Sequence, residues 1–295
     1  MLVREPGPLP RKDLRIGRAS NRLPLDIDCR NTGSPMLKPR LTKEIDKAVN
    51  LILSAEHVMA MTGAGISVES GIPPFRGPGG LWTKYGEPPM NGYDLFLQDP
   101  KKAWQERLSP SGPSKEMWRA LDQAEPNVSH LALVELERMG ILKAVITQNV
   151  DNLHRRAGSH ELIEIHGNYT MVRCIQCQSR IPAAEVSLKI LPPKCPQCEG
   201  ILKSDTVSFG EPIPKDALDR CYAETQLCDC MLVVGTSSTV YPAAAFPLAV
   251  SEKHGALIEI NLYESELTAS CTLSLRGSSA LILEALVESI ESRRN

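Results

Sequence analysis

Aromatic residues are scarce in this chain, at 4% of 295 residues. That argues against a stacking platform for single-stranded nucleic acid, which needs many exposed rings. Charge imbalance is lacking as well: 33 Lys and Arg face 35 Asp and Glu, for a formal net charge of −2. A chain so balanced has no bulk attraction to a phosphate backbone. No run of about 18 apolar residues occurs, so no membrane span is expected. The opening Met1-Leu2-Val3-Arg4-Glu5-Pro6 lacks the apolar stretch of a secretory leader. Pro6, Pro8 and Pro10 would break the amphipathic helix of an organelle-import signal. A cytoplasmic location is the expectation. The nine cysteines are an odd number, and four of them form two C-x-x-C pairs. This pattern suits a metal site in a reducing compartment rather than a disulfide framework.

What is present is globular: 42% apolar and 23% charged residues. At roughly 150 residues per domain the length suggests about two domains. Residues 1–40 carry Arg4, Arg11, Lys12, Arg15, Arg18, Arg22, Arg30, Lys38 and Arg40 with no lasting periodicity. They read as a basic, mostly irregular extension, a solvated tail and the one part of the chain suited to touch a nucleic acid. Beyond it Ile45, Ala48, Val49, Ile52 and Leu53 fall at helical spacing. A short apolar run at 58–61 then leads into Gly63-Ala64-Gly65. Further buried-strand candidates are 142–147, 162–165, 231–234 and 257–260, with helical stretches at 129–139 and 279–292. Alternating strands and helices with apolar strand interiors predict a Rossmann-like parallel sheet with helices on both faces. That α/β domain is expected over 41–171 and 208–295, and 172–207 breaks its rhythm as a small inserted module.

The module holds Cys174-Ile175-Gln176-Cys177 and Cys195-Pro196-Gln197-Cys198, a C-x2-C-x17-C-x2-C pattern. The spacing is that of a zinc ribbon. Four thiolates leave no open position, so one zinc ion would be structural. Cys228 and Cys230 read as buried small hydrophobes.

The turn from Thr62 to Ser67 follows a strand, where Gly63, Ala64, Gly65 and Ser67 are candidates to meet a pyrophosphate. A dehydrogenase fingerprint wants a third glycine where this chain has Val68, which disfavours hydride transfer. In the Gly- and Pro-rich stretch that follows, Phe75 is suited to cover a nicotinamide face. Arg76 is suited to pair with phosphate or to close the loop. His166 follows the 162–165 strand, at the end where α/β folds bind ligands, and its ordinary pKa of about 6.5 suits a general base. Gln148, Asn149 and Asp151 follow the 142–147 strand, with short polar side chains able to bond ribose hydroxyls.

Taken together, Gly63–Ser67, Ser70-Gly71-Ile72-Pro73, Phe75-Arg76, Thr147–His154, His166-Gly167-Asn168, the four cysteines, Phe209-Gly210-Glu211, Gly235-Thr236-Ser237, Val240-Tyr241-Pro242-Ala243 and Asn261 ahead of Glu264 resemble a known family. From about residue 41 onward the chain is similar to the sirtuins, the Sir2 family of NAD-dependent protein-lysine deacylases. The resemblance implies catalysis by His166 as base, with Asn149 and Asp151 lining a nicotinamide pocket and Gln148 touching ribose. It implies that Gly235, Thr236 and Ser237 meet the phosphates or adenine ribose, that Asn261 contacts the adenosine half, and that Ser279 lies beside adenine. NAD is then a co-substrate, and the products are nicotinamide and O-acyl-ADP-ribose. An acylated lysine of a protein substrate would lie as an added strand near Phe209, Gly210, Glu211 and Val240. Mono-ADP-ribosyl transfer from the same pocket is the alternative.

Two departures matter. Pro74 stands where many members carry Asp. Gly77–Trp82 resembles the branch that includes desuccinylases, whose Tyr-x-x-Arg pair, aligned on Trp104, falls here on Arg107 and Pro110. Uncharged acyl groups are therefore expected in preference to succinyl.

Overall fold

A computed structural model describes residues 27–28, 36–37 and 39–294. Most of the basic extension read over 1–40 lies outside the described residues; within it, β1 (Ile27–Asp28) pairs antiparallel with β2 (Met36–Leu37). The chain continues through α1 (Pro39–Ser54), β3 (Val58–Thr62), a 3-10 turn at Ala64–Ser70, α2 (Leu81–Tyr85), α3 (Gly92–Gln98), α4 (Pro100–Leu108), α5 (Gly112–Gln123) and α6 (Val128–Arg138). It then forms β4 (Leu142–Thr147), α7 (Leu153–Ala157), β5 (Leu162–Glu164), β6 (Met171–Cys174), β7 (Arg180–Pro182) and β8 (Leu202–Ser204). Last come α8 (Lys215–Leu227), β9 (Cys230–Val234), α9 (Ala245–Glu252), β10 (Ala256–Asn261), β11 (Leu273–Arg276) and α10 (Ser279–Arg294).

Six strands form one sheet in the order β11-β10-β9-β3-β4-β5, and every pairing is parallel. In chain order this is the doubly wound 3-2-1-4-5-6 arrangement, and its direction of build reverses between β3 and β9. Each strand sends alternate side chains to opposite faces. Val58 and Ala60 join a core with Ile45, Val49 and Ile52 of α1, Leu133 and Leu136 of α6, and Ile282 and Leu286 of α10. Met59 and Met61 join the other core, with Cys221 of α8 and Phe246 and Val250 of α9. Both faces are covered, which is why the strand interiors are apolar rather than alternating. Among the described residues no helix is long and apolar enough to cross a membrane.

The inserted module is a three-stranded antiparallel sheet, order β7-β6-β8. Its core of Val172, Cys174, Cys195 and Leu202 is completed by Phe96 of α3 and Trp104 of α4. The Trp104 indole N–H donates to the Leu202 carbonyl at 2.8 Å. The smaller lobe thus draws on helices from 92–108 as well as on the cysteine segment.

Candidate active site

The switch point brings the β3 and β9 loops into backbone contact. Gly65 N–H donates to the Gly235 carbonyl at 2.7 Å, and Gly63 N–H to the Val234 carbonyl at 3.0 Å. A Cβ on Gly65 would lie 2.6 Å from Gly235 Cα, and one on Gly63 2.7 Å from Thr236 Cβ. Gly235 has φ +59, and a Cβ there would sit 2.5 Å from Ile66 N. All three glycines are therefore demanded by loop-to-loop contact within the protein, before any ligand is considered.

Three side chains interlock beside this contact. Ser67 Oγ donates to Asp151 Oδ2 at 2.6 Å. Asn149 Nδ2 donates to Ser67 Oγ at 3.1 Å and to the Gly63 carbonyl at 3.0 Å. Leu153 N–H donates to the other Asp151 oxygen at 2.9 Å. Asp151 is 5% exposed. Burial raises its carboxyl above the ordinary aspartate range, against the Ser67 and Leu153 bonds that lower it. Gln148 Nε2 reaches across the switch point to Thr236 Oγ1 at 2.9 Å.

His166 stands just past β5. A carbonyl oxygen only accepts, so the 3.1 Å contact between its Nδ1 and the Gln148 carbonyl requires the proton on Nδ1. In the neutral ring Nε2 then carries the lone pair. Burial lowers the imidazole below the ordinary histidine range, partly opposed by the Gln148 carbonyl. The ring is thus held neutral and in one tautomer, as a base requires. His154 lies beneath: its Nε2 meets Thr62 Oγ1 at 2.9 Å, and burial pushes it down to about 4.

The structure gathers Gly63, Ala64, Gly65, Ser67, Gln148, Asn149, Asp151, His166, Gly235, Thr236 and Asn261 at one set of strand ends. Asn261 Nδ2 donates to the Thr236 carbonyl at 3.0 Å. Ser237 is exposed on the β9 loop, its Oγ 3.0 Å from Thr239 Oγ1. Arg76 closes its loop onto side chains rather than backbone: Nη2 pairs with Glu87 at 2.9 Å and Nη1 donates to Thr239 at 2.9 Å. Phe75 is half exposed and stacks on Trp82 at 4.9 Å, and Trp82 lies 5.8 Å from Phe209. Ser279 opens α10 and is buried, its Oγ 2.8 Å from Ser129 Oγ of α6.

In the module the four sulfurs of Cys174, Cys177, Cys195 and Cys198 lie within 4.8 Å of one another. Cys174 and Cys198 approach to 3.5 Å, Cys177 and Cys195 to 3.7 Å. A zinc tetrahedron with bonds of about 2.3 Å puts sulfurs about 3.8 Å apart, so the donor set fits a structural zinc ion. Backbone N–H groups of Gln176 and Gln197 point to Cys174 and Cys195 sulfurs at 3.4 Å. Cys228 and Cys230 are buried thiols pushed up to about 12, as inert filler should be.

Sequence reading missed Lys203 and Asp205, which are buried charges under the site. The one available signal was a charged residue inside a short strand, Lys203, and it is weak.

A doubly wound sheet, a polar cluster with an oriented imidazole at its switch point, and a four-thiolate module together define a two-lobed α/β protein built for a dinucleotide. A family model described as the Sir2 family matches residues 63–242. The NAD-dependent protein deacylase of Pyrococcus abyssi is 43% identical over 253 residues, covering 83% of this chain and 98% of that relative. The NAD-dependent protein deacetylase of Caldivirga maquilingensis is 44% identical over 249 residues, covering 83% and 93%. A solved Sir2 homolog–NAD complex superposes with a TM-score of 0.72 at 40% identity, covering 85% of this chain and 95% of that one. A Sir2–p53 peptide–NAD+ complex does so at 0.70 and 32% identity, covering 85% and 99%. The chain belongs to the Sir2 family.

Proposed function

We propose that this chain is an NAD-dependent protein-lysine deacylase that releases nicotinamide and O-acyl-ADP-ribose. The observation that carries the reading is the His166 ring, fixed by the Gln148 carbonyl with its Nε2 lone pair available, beside the Ser67–Asn149–Asp151 cluster. The enzyme relatives at high coverage support it. Bound NAD would supply an electrophilic ribose carbon and a pyridine leaving group.

With NAD bound, the acyl oxygen of the substrate lysine would bond to the ribose carbon as the carbon–nitrogen bond to nicotinamide breaks. His166 Nε2 would take the proton of a ribose hydroxyl, and one water would then free the lysine amine and leave the acyl group on ADP-ribose. Asn149 and Asp151 hold the nicotinamide end, and Gln148 meets the ribose. Gly63, Ala64, Gly65, Ser67 and Arg76 surround the middle of the cofactor, and Phe75 shields the reacting carbon from water. Gly235, Thr236, Ser237 and Asn261 serve the phosphates and adenosine. Ser279 contributes through the start of α10, because its hydroxyl is taken by Ser129.

The substrate peptide lies as an added strand between Phe209-Gly210-Glu211 and Val240, where main-chain bonds give affinity with little sequence selectivity. An acidic acyl group finds no Tyr-x-x-Arg pair: Pro110 supplies no cation, and Arg107 is engaged within the protein. The Arg107 guanidinium donates to the Tyr169 carbonyl at 2.8 Å and to Ser204 Oγ at 3.0 Å, and lies 4.6 Å from the Trp118 ring. Uncharged acyl groups are preferred for that reason. Closed thiolate coordination and protonated buried thiols suit a reducing, cytoplasmic setting.

The test is a panel of acetyl-, longer acyl- and succinyl-lysine peptides with NAD, read by mass. O-acyl-ADP-ribose from the uncharged peptides is the expected product. Faster desuccinylation would overturn the acyl preference, and nicotinamide release without deacylation would replace the reading with transfer to another acceptor.

A further inference from the structure

We propose that Lys203 is a positioning residue whose buried ammonium sets the spacing between the general base and the substrate-binding turn; the proposal rests on the deacylase reading. Lys203 lies in β8, and its side chain is 5% exposed. An ammonium has three N–H donors. All three are taken: the Ser204 carbonyl at 2.8 Å, the Thr206 carbonyl at 2.7 Å and Glu211 Oε2 at 2.9 Å.

Two lines run outward from these acceptors. Thr206 precedes Val207, whose N–H donates to the carbonyl of His166 at 2.9 Å. The same Glu211 Oε2 also accepts from Ser208 N–H at 2.7 Å, while Glu211 N–H donates to the Ser208 carbonyl at 3.0 Å. These bonds close a four-residue turn with Gly210 at φ +81 in its third position, the place where a type II turn needs a left-handed residue. The turn carries Phe209, whose carbonyl accepts from Tyr93 N–H at 3.0 Å and whose ring packs 5.8 Å from Trp82. One cation therefore holds the backbone on both sides of the step from His166 to the peptide-facing turn.

General anchoring of the small lobe is handled elsewhere. Asp205 is gripped by Arg173 and Arg180 at 2.9 Å each and accepts from Asn168 N–H at 2.9 Å. Every hydrogen bond of the Lys203 ammonium, by contrast, falls within 204–211, and the Phe96 ring lies 6.0 Å from it. A residue wired this way governs where the peptide sits, and leaves the adenosine and phosphate contacts alone.

Steady-state deacylation of an acetyl-lysine peptide by the wild type, Lys203→Met and Glu211→Gln tests this. Lys203→Met is expected to raise the peptide KM by about tenfold or more, the scale of one charge-assisted hydrogen bond. The KM for NAD should stay within about twofold. Glu211→Gln keeps an acceptor and should give a smaller shift in the same direction. Backbone exchange at Ser208 and Glu211 should quicken in both variants. Unchanged peptide KM, or equal rises in both KM values, would overturn the proposal. If Lys203→Met does not fold, Glu211→Gln decides on the same KM comparison. A wild type without deacylation would defeat the deacylase reading instead, and exchange at the two amides would still judge whether Lys203 holds the turn.

Discussion

Replacing Ser67 by Ala removes one oxygen from the most enclosed part of the site. Ser67 is 1% exposed. Its Oγ donates to Asp151 at 2.6 Å and accepts from Asn149 at 3.1 Å. After the substitution Asp151 keeps the Leu153 N–H bond at 2.9 Å, and Asn149 keeps the Gly63 carbonyl. A hydrogen bond to a buried charged group is worth about 1.5–3 kcal/mol. A loss near the middle of that range shifts the folding equilibrium about 45-fold. The loss must also depend on pH. Burial already holds the Asp151 carboxyl above its ordinary range in the folded protein, and the Ser67 bond is the first of the influences that lower it. Without that bond the folded value climbs further.

A carboxyl whose pKa is higher folded than unfolded binds more protons in the native state between the two values, so stability falls as pH rises through that window. Ser67→Ala widens the window upward. Its destabilisation should therefore be greatest near neutral and alkaline pH, and should shrink as the pH falls and Asp151 takes up its proton. Urea unfolding of wild type and variant at about pH 8 and about pH 5 measures both losses by linear extrapolation. Equal losses at the two pH values, or a loss under about 0.5 kcal/mol at the higher one, would refute the reasoning, since ordinary surface substitutions reach that size.

Gly235→Ala places a Cβ 2.5 Å from Ile66 N at φ +59, and should lower stability by about 3 kcal/mol or more. Gly71→Ala, at φ +88 with nothing within 4 Å of the new atom, should lose only about 1–2 kcal/mol, and paired thermal melts that showed equal losses would contradict the loop-contact account. His166→Ala should fold normally and lose at least about 10²-fold in deacylation rate. Because the wild-type ring sits below the ordinary histidine range, the acid limb of kcat/KM should fall below about pH 6.5, and a limb above that value would remove His166 as the titrating base.

Much of this was legible in the residues because burial writes itself as short apolar runs. The strand expected over 142–147 is found at Leu142–Thr147, and the one over 231–234 gains only Cys230. The helix expected over 129–139 is Val128–Arg138, closed by Gly140 at φ +72. The four cysteines were legible because two thiolate turns at ribbon spacing have few other uses. The stretch 81–123 was not. Its first three helices are short, and they bury isolated residues such as Phe96 and Trp104 against the module rather than a continuous stripe. Periodicity has nothing to count there. Ser279 illustrates a different limit. Its hydroxyl is committed to Ser129, 150 residues earlier, and no local pattern announces such a pairing.

The glycines bear on why the motif and the chemistry must be argued separately. Gly63, Gly65 and Gly235 let two loops touch backbone to backbone where the sheet reverses its order. Any doubly wound protein with so close a crossing would need small residues there, whatever it binds. The glycines therefore speak for the crevice and say little about the reaction. What distinguishes this crevice is the set of side chains placed around it by different elements: Ser67 after β3, Gln148, Asn149 and Asp151 after β4, and His166 after β5. These three segments are bound to one another directly, through Ser67–Asp151, Asn149–Gly63 and His166–Gln148. The same segment that carries His166 is tied by Val207 to the turn held by Lys203 and Glu211. The 208–211 turn and the His166 ring are thus joined by one short stretch of backbone, so under the proposed function a displacement of the turn would be felt at the ring through the Val207–His166 hydrogen bond.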